Sequence, residues 1–350
     1  MTVATRDELR DVLEASRLPA ATELAGALQE LCGDDAPPRI VAFRKLKTNV
    51  YRVLIEAGDG VRSLVLKCSN PTQARHNLLV ARRWLPALGL EDAGARLLGS
   101  AADRHGVQMW MIYEDLGDAT LQATKADRRR VAAAVELIAA LHVRSSGHAV
   151  LPECRYHGRD LGAAFFAANV RDAIHGLELV RPPRVELSPE HADTRDRLLV
   201  RLVALREEIP DRTQRLAAHG GPDVFLHGDL WTTNTFVVEG LDGPVARLVD
   251  WDAAGVGPAS YDLSTFLFRF PQEDRPWILD QYRSAVASAG WHLPATRELN
   301  ALFDTAECAR YANRVVWPVV ALLVDGAAWS FDELAMVAGW FDALRPALPE

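Results

Sequence analysis

Apolar residues recur with two different periods along this chain, and the change from one to the other divides it. "TRDELRDVL" places Thr5 and Glu8 as a capping box, and "ELAGALQELCG" puts Leu24, Leu28 and Leu31 on one helical face ahead of Gly33. Together they predict a helical extension over residues 1–37. After "DDAPPR" come β-type runs: "IVAF" from Ile40, "VYRVLIEA" from Val50, then "SLVLKC" beyond a turn at Gly58-Asp59-Gly60. Asn70 and Pro71 predict the cap and first position of a helix through "TQARHNLLVARRWLPAL", with Leu78, Arg82 and Leu85 at helical spacing. "ARLLGS" and "VQMWMIYED" add two strands around a polar turn from Asp103 to Gly106. The order β, β, β, α, β, β predicts a small antiparallel sheet carrying one helix over residues 38–113.

From Glu114 the pattern turns helical, most strongly in "RRVAAAVELIAALHVRS" and again around Leu161–Leu179 and Thr194–Glu207. Three short apolar runs interrupt it: "VFL", "TFVVE" and "ARLVD", the last two separated by the turn "GLDGP". The expected class is therefore α+β, with a small sheet lobe followed by a larger, mainly helical lobe over residues 114–350.

Composition adds exclusions. With 350 residues, 49% hydrophobic and 25% charged, the chain has apolar material for about two cores. No apolar run is long enough for a membrane span, and the first residues lack a basic-then-apolar leader pattern, so a cytoplasmic protein without membrane partners is expected. Cys32, Cys68, Cys154 and Cys308 are far apart in sequence, which points to reduced thiols rather than disulfides or zinc ligands. A net charge of -8 and no long Lys/Arg run exclude nucleic acid as the expected partner. From Val256 onward there are 12 acids against 7 Arg and no Lys, and six of the nine tryptophans lie from Trp251 on. Carboxylates and aromatic faces around a cleft would favour a hydroxylated cation such as an amino sugar, an aminoglycoside or a choline-like alcohol.

The chemistry concentrates in "HGDLWTTN" and, downstream, "VDWDAAGVGPASYDLS". Phosphoryl transfer requires an aimed acceptor hydroxyl, a neutralised phosphate charge and a base for the departing proton. Asp229 has the chemistry to orient the hydroxyl and accept its proton, Asn234 to offer an amide oxygen to Mg²⁺, and Asp250 to supply an anionic metal ligand. An Asp in a turn is ordinarily a solvated or backbone-bonded residue. The joint spacing of the three raises them above that reading. A P-loop NTPase is excluded, because GxxxxGK[ST] is absent.

These strings resemble the aminoglycoside phosphotransferase family, whose protein-kinase-like fold also serves choline and fructosamine kinases. The resemblance runs from about residue 38 to the end. It implies a bilobal small-molecule kinase using ATP or GTP with Mg²⁺, with Asp229 as the catalytic-loop acid and Asn234 and Asp250 as metal ligands. Lys67 is implied to hold the α and β phosphates, and the backbone from Glu114 to Leu116 to meet the adenine. Asp262 is implied to brace the catalytic loop, and His227 reads as a structural residue of that loop. Two departures stand out. "RKLKTN" lacks the glycines of a nucleotide-covering loop, with Thr48 and Asn49 fitting the family's variant, beside Lys45 and Lys47. The helix after Lys67 has no acidic residue from Cys68 through Leu90 to pair with that lysine, leaving His76, Asn77 or Glu91 as stand-ins. The departures keep one rival in view, a nucleotide-binding pseudokinase with a regulatory role.

Overall fold

Apolar runs rich in β-branched and aliphatic residues drive the first sheet: Val53 and Ile55 on one strand and Leu64 and Leu66 on the next are buried, with half-buried Leu54 and Val65 between them. The computed structural model describes residues 13–15, 18–33, 38–58, 60–125 and 127–349; the Thr5–Glu8 capping box and Asp59 lie outside the described residues. Strands β1 (Arg39–Lys47), β2 (Val50–Ala57), β3 (Gly60–Ser69), β4 (Leu97–Ala102) and β5 (Met109–Glu114) form one antiparallel sheet in the order β1-β2-β3-β5-β4. Helix α1 (Ala21–Cys32) buries Leu24 and Leu28 against Trp110 and Ile112 of β5, and the Trp110 indole N–H donates to Pro19 O at 2.7 Å. The N-terminal helix is thus part of this core.

By contacts the chain divides into two compact units. One comprises residues up to Thr120 together with Asn234–Asp252; the other comprises Leu121–Thr233 and the residues from Ala253 onward. In the first, α2 (Pro71–Leu79) starts as expected: Asn70 Oδ1 accepts from Gln73 N at 3.0 Å and Pro71 takes the first turn. Its phase then departs from regular α spacing. A π-turn at Val80–Trp84 widens the helix, so the buried side chains are Ala74, His76, Asn77, Val80 and Trp84, while Arg82 is exposed. The hairpin of β8 (Thr235–Gly240) and β9 (Gly243–Leu248) completes this unit.

The second unit is mainly helical. The 30-residue helix Thr296–Asp325 runs through its core, where Ala309, Ala312, Val315 and Val319 pack with Val170, Ala173 and Leu177 of helix Ala163–Leu179. Two elements were invisible to periodicity. Helix Ile209–His219 has no fully buried residue, and its half-buried face sets Arg212 and Thr213 between Ile209 and Leu216, so little apolar stripe is left to read. The strand Gly255–Pro258 (β10) hides in a Gly- and Pro-rich run. It pairs parallel with Arg159–Asp160 (β6) and antiparallel with Asp223–Leu226 (β7). Glycine is required there, since a Cβ on Gly255 would meet Arg159 O at 2.3 Å. None of the four cysteines forms a disulfide among the described residues. No helix among the described residues is long and apolar enough to cross a membrane.

Candidate active site

Lys67 near the end of β3 stands among carboxylates. Its ammonium lies 2.6 Å from Asp250 Oδ1 and 2.8 Å from Asp252 Oδ1, while Lys47 Nζ lies 2.8 Å from Asp250 Oδ2. Two cations and two anions therefore neutralise one another. Burial alone would lower the Lys67 pKa, but the two acids hold it above its ordinary value. Burial would likewise raise that of Asp250, and Lys67 with Lys47 holds it well below the usual carboxylate range. Asp250 sits past the end of β9 in left-handed backbone, φ 66°, a conformation that costs a non-glycine residue about 1 kcal/mol. The surrounding bonds sustain it.

Helix α2 meets this acidic turn through an amide and an imidazole. Asn77, buried, donates to Asp252 Oδ1 at 2.6 Å, and the His76 ring contacts the Trp251 carbonyl at 3.1 Å. The missing helix glutamate is thus answered by a reversal of parts. The acids that hold Lys67 come from the 250–252 turn, Asn77 holds one of them, and Glu91 opens a separate short turn. Asn77→Leu removes a bond to a charged acceptor and is expected to cost about 1.5–3 kcal/mol. Urea unfolding reads it, and a loss under about 0.5 kcal/mol would show that the bond does not hold the turn.

Asn234 lies at the same end of the β8–β9 hairpin as Asp250, its carbonyl accepting from Val249 N at 2.9 Å. Thr48 and Asn49 form the whole turn between β1 and β2, because Arg44–Lys47 extend the strand instead of forming a loop. Asn49 takes φ 60°, which asparagine tolerates, and its carbonyl accepts from Cys68 N at 2.8 Å, tying the turn to the residue after Lys67. At the segment expected to meet adenine, Glu114 N donates to Arg96 O at 3.0 Å. Arg52 clamps the residues that follow: it pairs with Asp115 at 2.8 Å and donates to Gly117 O at 2.8 Å and Asp118 at 2.9 Å. Sequence reading missed the Arg52 clamp and the pairing of Lys47 with Asp250; a lone Arg in a strand carries no local signal for either.

Asp229 belongs to the second unit. Its loop is shaped by buried polar contacts: Asp262, fully buried, accepts from His227 N at 2.7 Å and Gly228 N at 2.9 Å. Burial would raise the Asp262 pKa, but His142, His227 and the Gly228 N–H together lower it. His142 Nε2 stands 3.6 Å from Asp262, beyond hydrogen-bond range, and its Nδ1 meets Tyr282 Oη at 2.9 Å. The His227 Nδ1 accepts from Asp229 N at 3.3 Å, so the ring proton sits on Nε2 and the ring serves the loop backbone. Gly228 has φ 81°, and a Cβ there would lie 2.0 Å from Ala253 O. Gly228→Ala is expected to destabilise by at least about 2 kcal/mol. An unchanged melting temperature would contradict the close approach.

The sequence carries the same message over a longer span. Residues 40–299 match the phosphotransferase enzyme family, well over half of the chain. The chain belongs to that family. Its members are small-molecule phosphotransferases acting on hydroxyl groups, and this phosphotransferase is one of them. No curated protein is similar to it at a significant level. Among solved structures it is similar to an ethanolamine kinase of Plasmodium vivax, with 12% identity, a TM-score of 0.58, and 97% of this chain and 88% of that chain covered. It is also similar to a macrolide 2'-phosphotransferase of Brachybacterium faecium, with 15% identity, a TM-score of 0.55, and coverage of 95% and 98%. A spectinomycin phosphotransferase in complex with ADP and spectinomycin follows, with 11% identity, a TM-score of 0.54, and coverage of 88% and 93%. These likenesses show a shared protein-kinase-like fold.

Proposed function

We propose that this phosphotransferase moves the γ-phosphoryl group of ATP to a hydroxyl of a small acceptor with Mg²⁺ as the metal. The observation that carries the reading is the convergence of Asp250 and Asp252 oxygens on one cation, the Lys67 ammonium, with Asn234 at the same hairpin end. Hard oxygen donors that already gather around a positive charge suit Mg²⁺, which binds through one or two carboxylates and keeps several waters. Asp250 and Asn234 would hold the ion, which would neutralise phosphate charge in the transition state.

The protein's own residues take the remaining roles. Lys67 and Lys47 exchange carboxylate partners for phosphate oxygens. Glu114 and Leu116 offer backbone groups to the adenine, and Thr48 and Asn49 cover the phosphates. Asp229 orients the acceptor hydroxyl and takes its proton as the new O–P bond forms and the bond from Pγ to the bridging oxygen of ADP breaks. ADP release that needs both acceptor and Mg²⁺ tests the reading. Tight nucleotide binding with no turnover on any acceptor would favour the pseudokinase instead. The similar structures are kinases for unlike acceptors, so the fold leaves the acceptor open.

A further inference from the structure

The loop that carries Asp229 also walls a cavity of about 280 Å³ inside the second unit. Trp231 lies two residues past Asp229, its N–H bonded to Asp229 O at 2.8 Å, and it lines the cavity with Phe268, Tyr311 and Trp340. The charged lining is three arginines, Arg269, Arg275 and Arg310, against one acid, Glu307. Glu307 is already committed: it is buried, forms an ion pair with Arg310 and is hydrogen-bonded by Tyr311. Two guanidinium charges remain in excess.

Those two guanidinium groups lie against aromatic rings. Arg269 lies over the Trp231 ring at 4.0 Å, and Arg275 lies 5.0 Å from the Phe268 ring while donating to Phe270 O at 3.0 Å. Among the described residues neither forms an ion pair; Glu273 is the acid that acts on Arg275 from nearby, and Arg269 repels it. Burial together with that repulsion lowers the Arg275 pKa from its ordinary value. The Nε–H groups of Arg269 and Arg310 are buried without a hydrogen-bond partner.

We propose that the cavity binds the acceptor of this phosphotransferase and that this acceptor is a small hydroxylated anion, carrying a carboxylate or a phosphate. The proposal rests on the phosphotransfer reading for its chemistry and on the cavity for its charge. It reverses the expectation of a cationic acceptor, and the reason is where the acids go. Of those after Val256, Asp304 pairs with Arg212, Glu333 with Arg314, Asp280 with Arg283 and Asp342 with Arg197, while Asp262 serves the catalytic loop. Among the described residues, Glu307 is the acid that lines the cavity. Guanidinium groups prefer carboxylate and phosphate oxygens, and the ring faces accommodate the carbon skeleton. The size is at the low end for ligand pockets, which suits a single small polyol or ring.

Three six-carbon polyols that differ only at C1 separate charge from shape: gluconate, gluconamide and glucamine, bearing a carboxylate, a carboxamide and an aminomethyl group. Calorimetric titration of the wild type is expected to show gluconate binding about tenfold or more tighter than glucamine, the ordinary worth of one charge-assisted bond. Arg275→Gln and Arg269→Gln should each shrink that ratio to about threefold or less, with MgATP titration as the fold check. Glucamine binding as well as gluconate, or no binding of gluconate, would overturn the proposal. ADP release measured on the same panel keeps the two readings apart. Gluconate bound without turnover of any panel member counts against phosphotransfer and leaves the anion preference standing. Fastest turnover of glucamine does the reverse.

Discussion

Asp229→Asn is expected to lower kcat by about a hundredfold or more while MgATP binds with nearly unchanged affinity. The loop owes its shape to backbone N–H groups of His227 and Gly228 bonded to Asp262, and to the left-handed Gly228 beside Ala253. An isosteric amide at position 229 therefore leaves the scaffold in place and removes only the negative charge that orients the hydroxyl and receives its proton. Such an interaction acts in the transition state more than in the ground state, so kcat falls and nucleotide affinity does not. Rapid-quench turnover with an identified acceptor, beside calorimetric MgATP titration, gives both quantities. A variant that keeps more than about a tenth of wild-type kcat would remove Asp229 from the role of base or positioner.

Asp250→Ala is expected to weaken MgATP binding by about a hundredfold, through loss of the anionic metal ligand. Metal-free ATP should bind the variant no more weakly than wild type, and this second result comes from the ion-pair network. Asp250 engages both Lys67 and Lys47, and Lys47 pairs with no other carboxylate among the described residues. Deleting it releases positive charge for phosphate oxygens. Asn234→Ala should fall between the variant and wild type, because an amide oxygen is the weaker ligand. Mg²⁺ titrations of nucleotide binding decide the order, and coincident curves for wild type and Asp250→Ala would reject the assignment.

Much of the first unit was legible because its signals are local. The β-type run "VYRVLIEA", the Asn70-Pro71 start of α2 and the leucines of α1 each act within a few residues, and each appears as read. Helix Ile209–His219 was not legible, since its half-buried face sets Arg212 and Thr213 between Ile209 and Leu216. Strand Gly255–Pro258 was not, since its glycine serves a close backbone approach and leaves nothing that looks like a strand.

The candidate site divides in the same way. The residues of "HGDLWTTN" and "VDWD" could be named from order and spacing, because loop chemistry is written in short strings whose types and intervals survive any packing. The partners of Lys67 could not, being 183 and 185 positions away, nor could the use of a neutral Asn77 where a helix acid was expected. The charge of the cavity shows the limit most clearly. The sequence counts an excess of acids after Val256, yet in the fold Asp280, Asp304, Glu333 and Asp342 pair with arginines outside the cavity, while Arg269 and Arg275 line it and form no ion pair among the described residues. A count of charges has no positions in it, whereas electrostatic interaction falls with distance and is cancelled by pairing. The sequence therefore determined which groups were present and which elements carried them. Only the tertiary structure decided which charges meet and which remain to face a ligand.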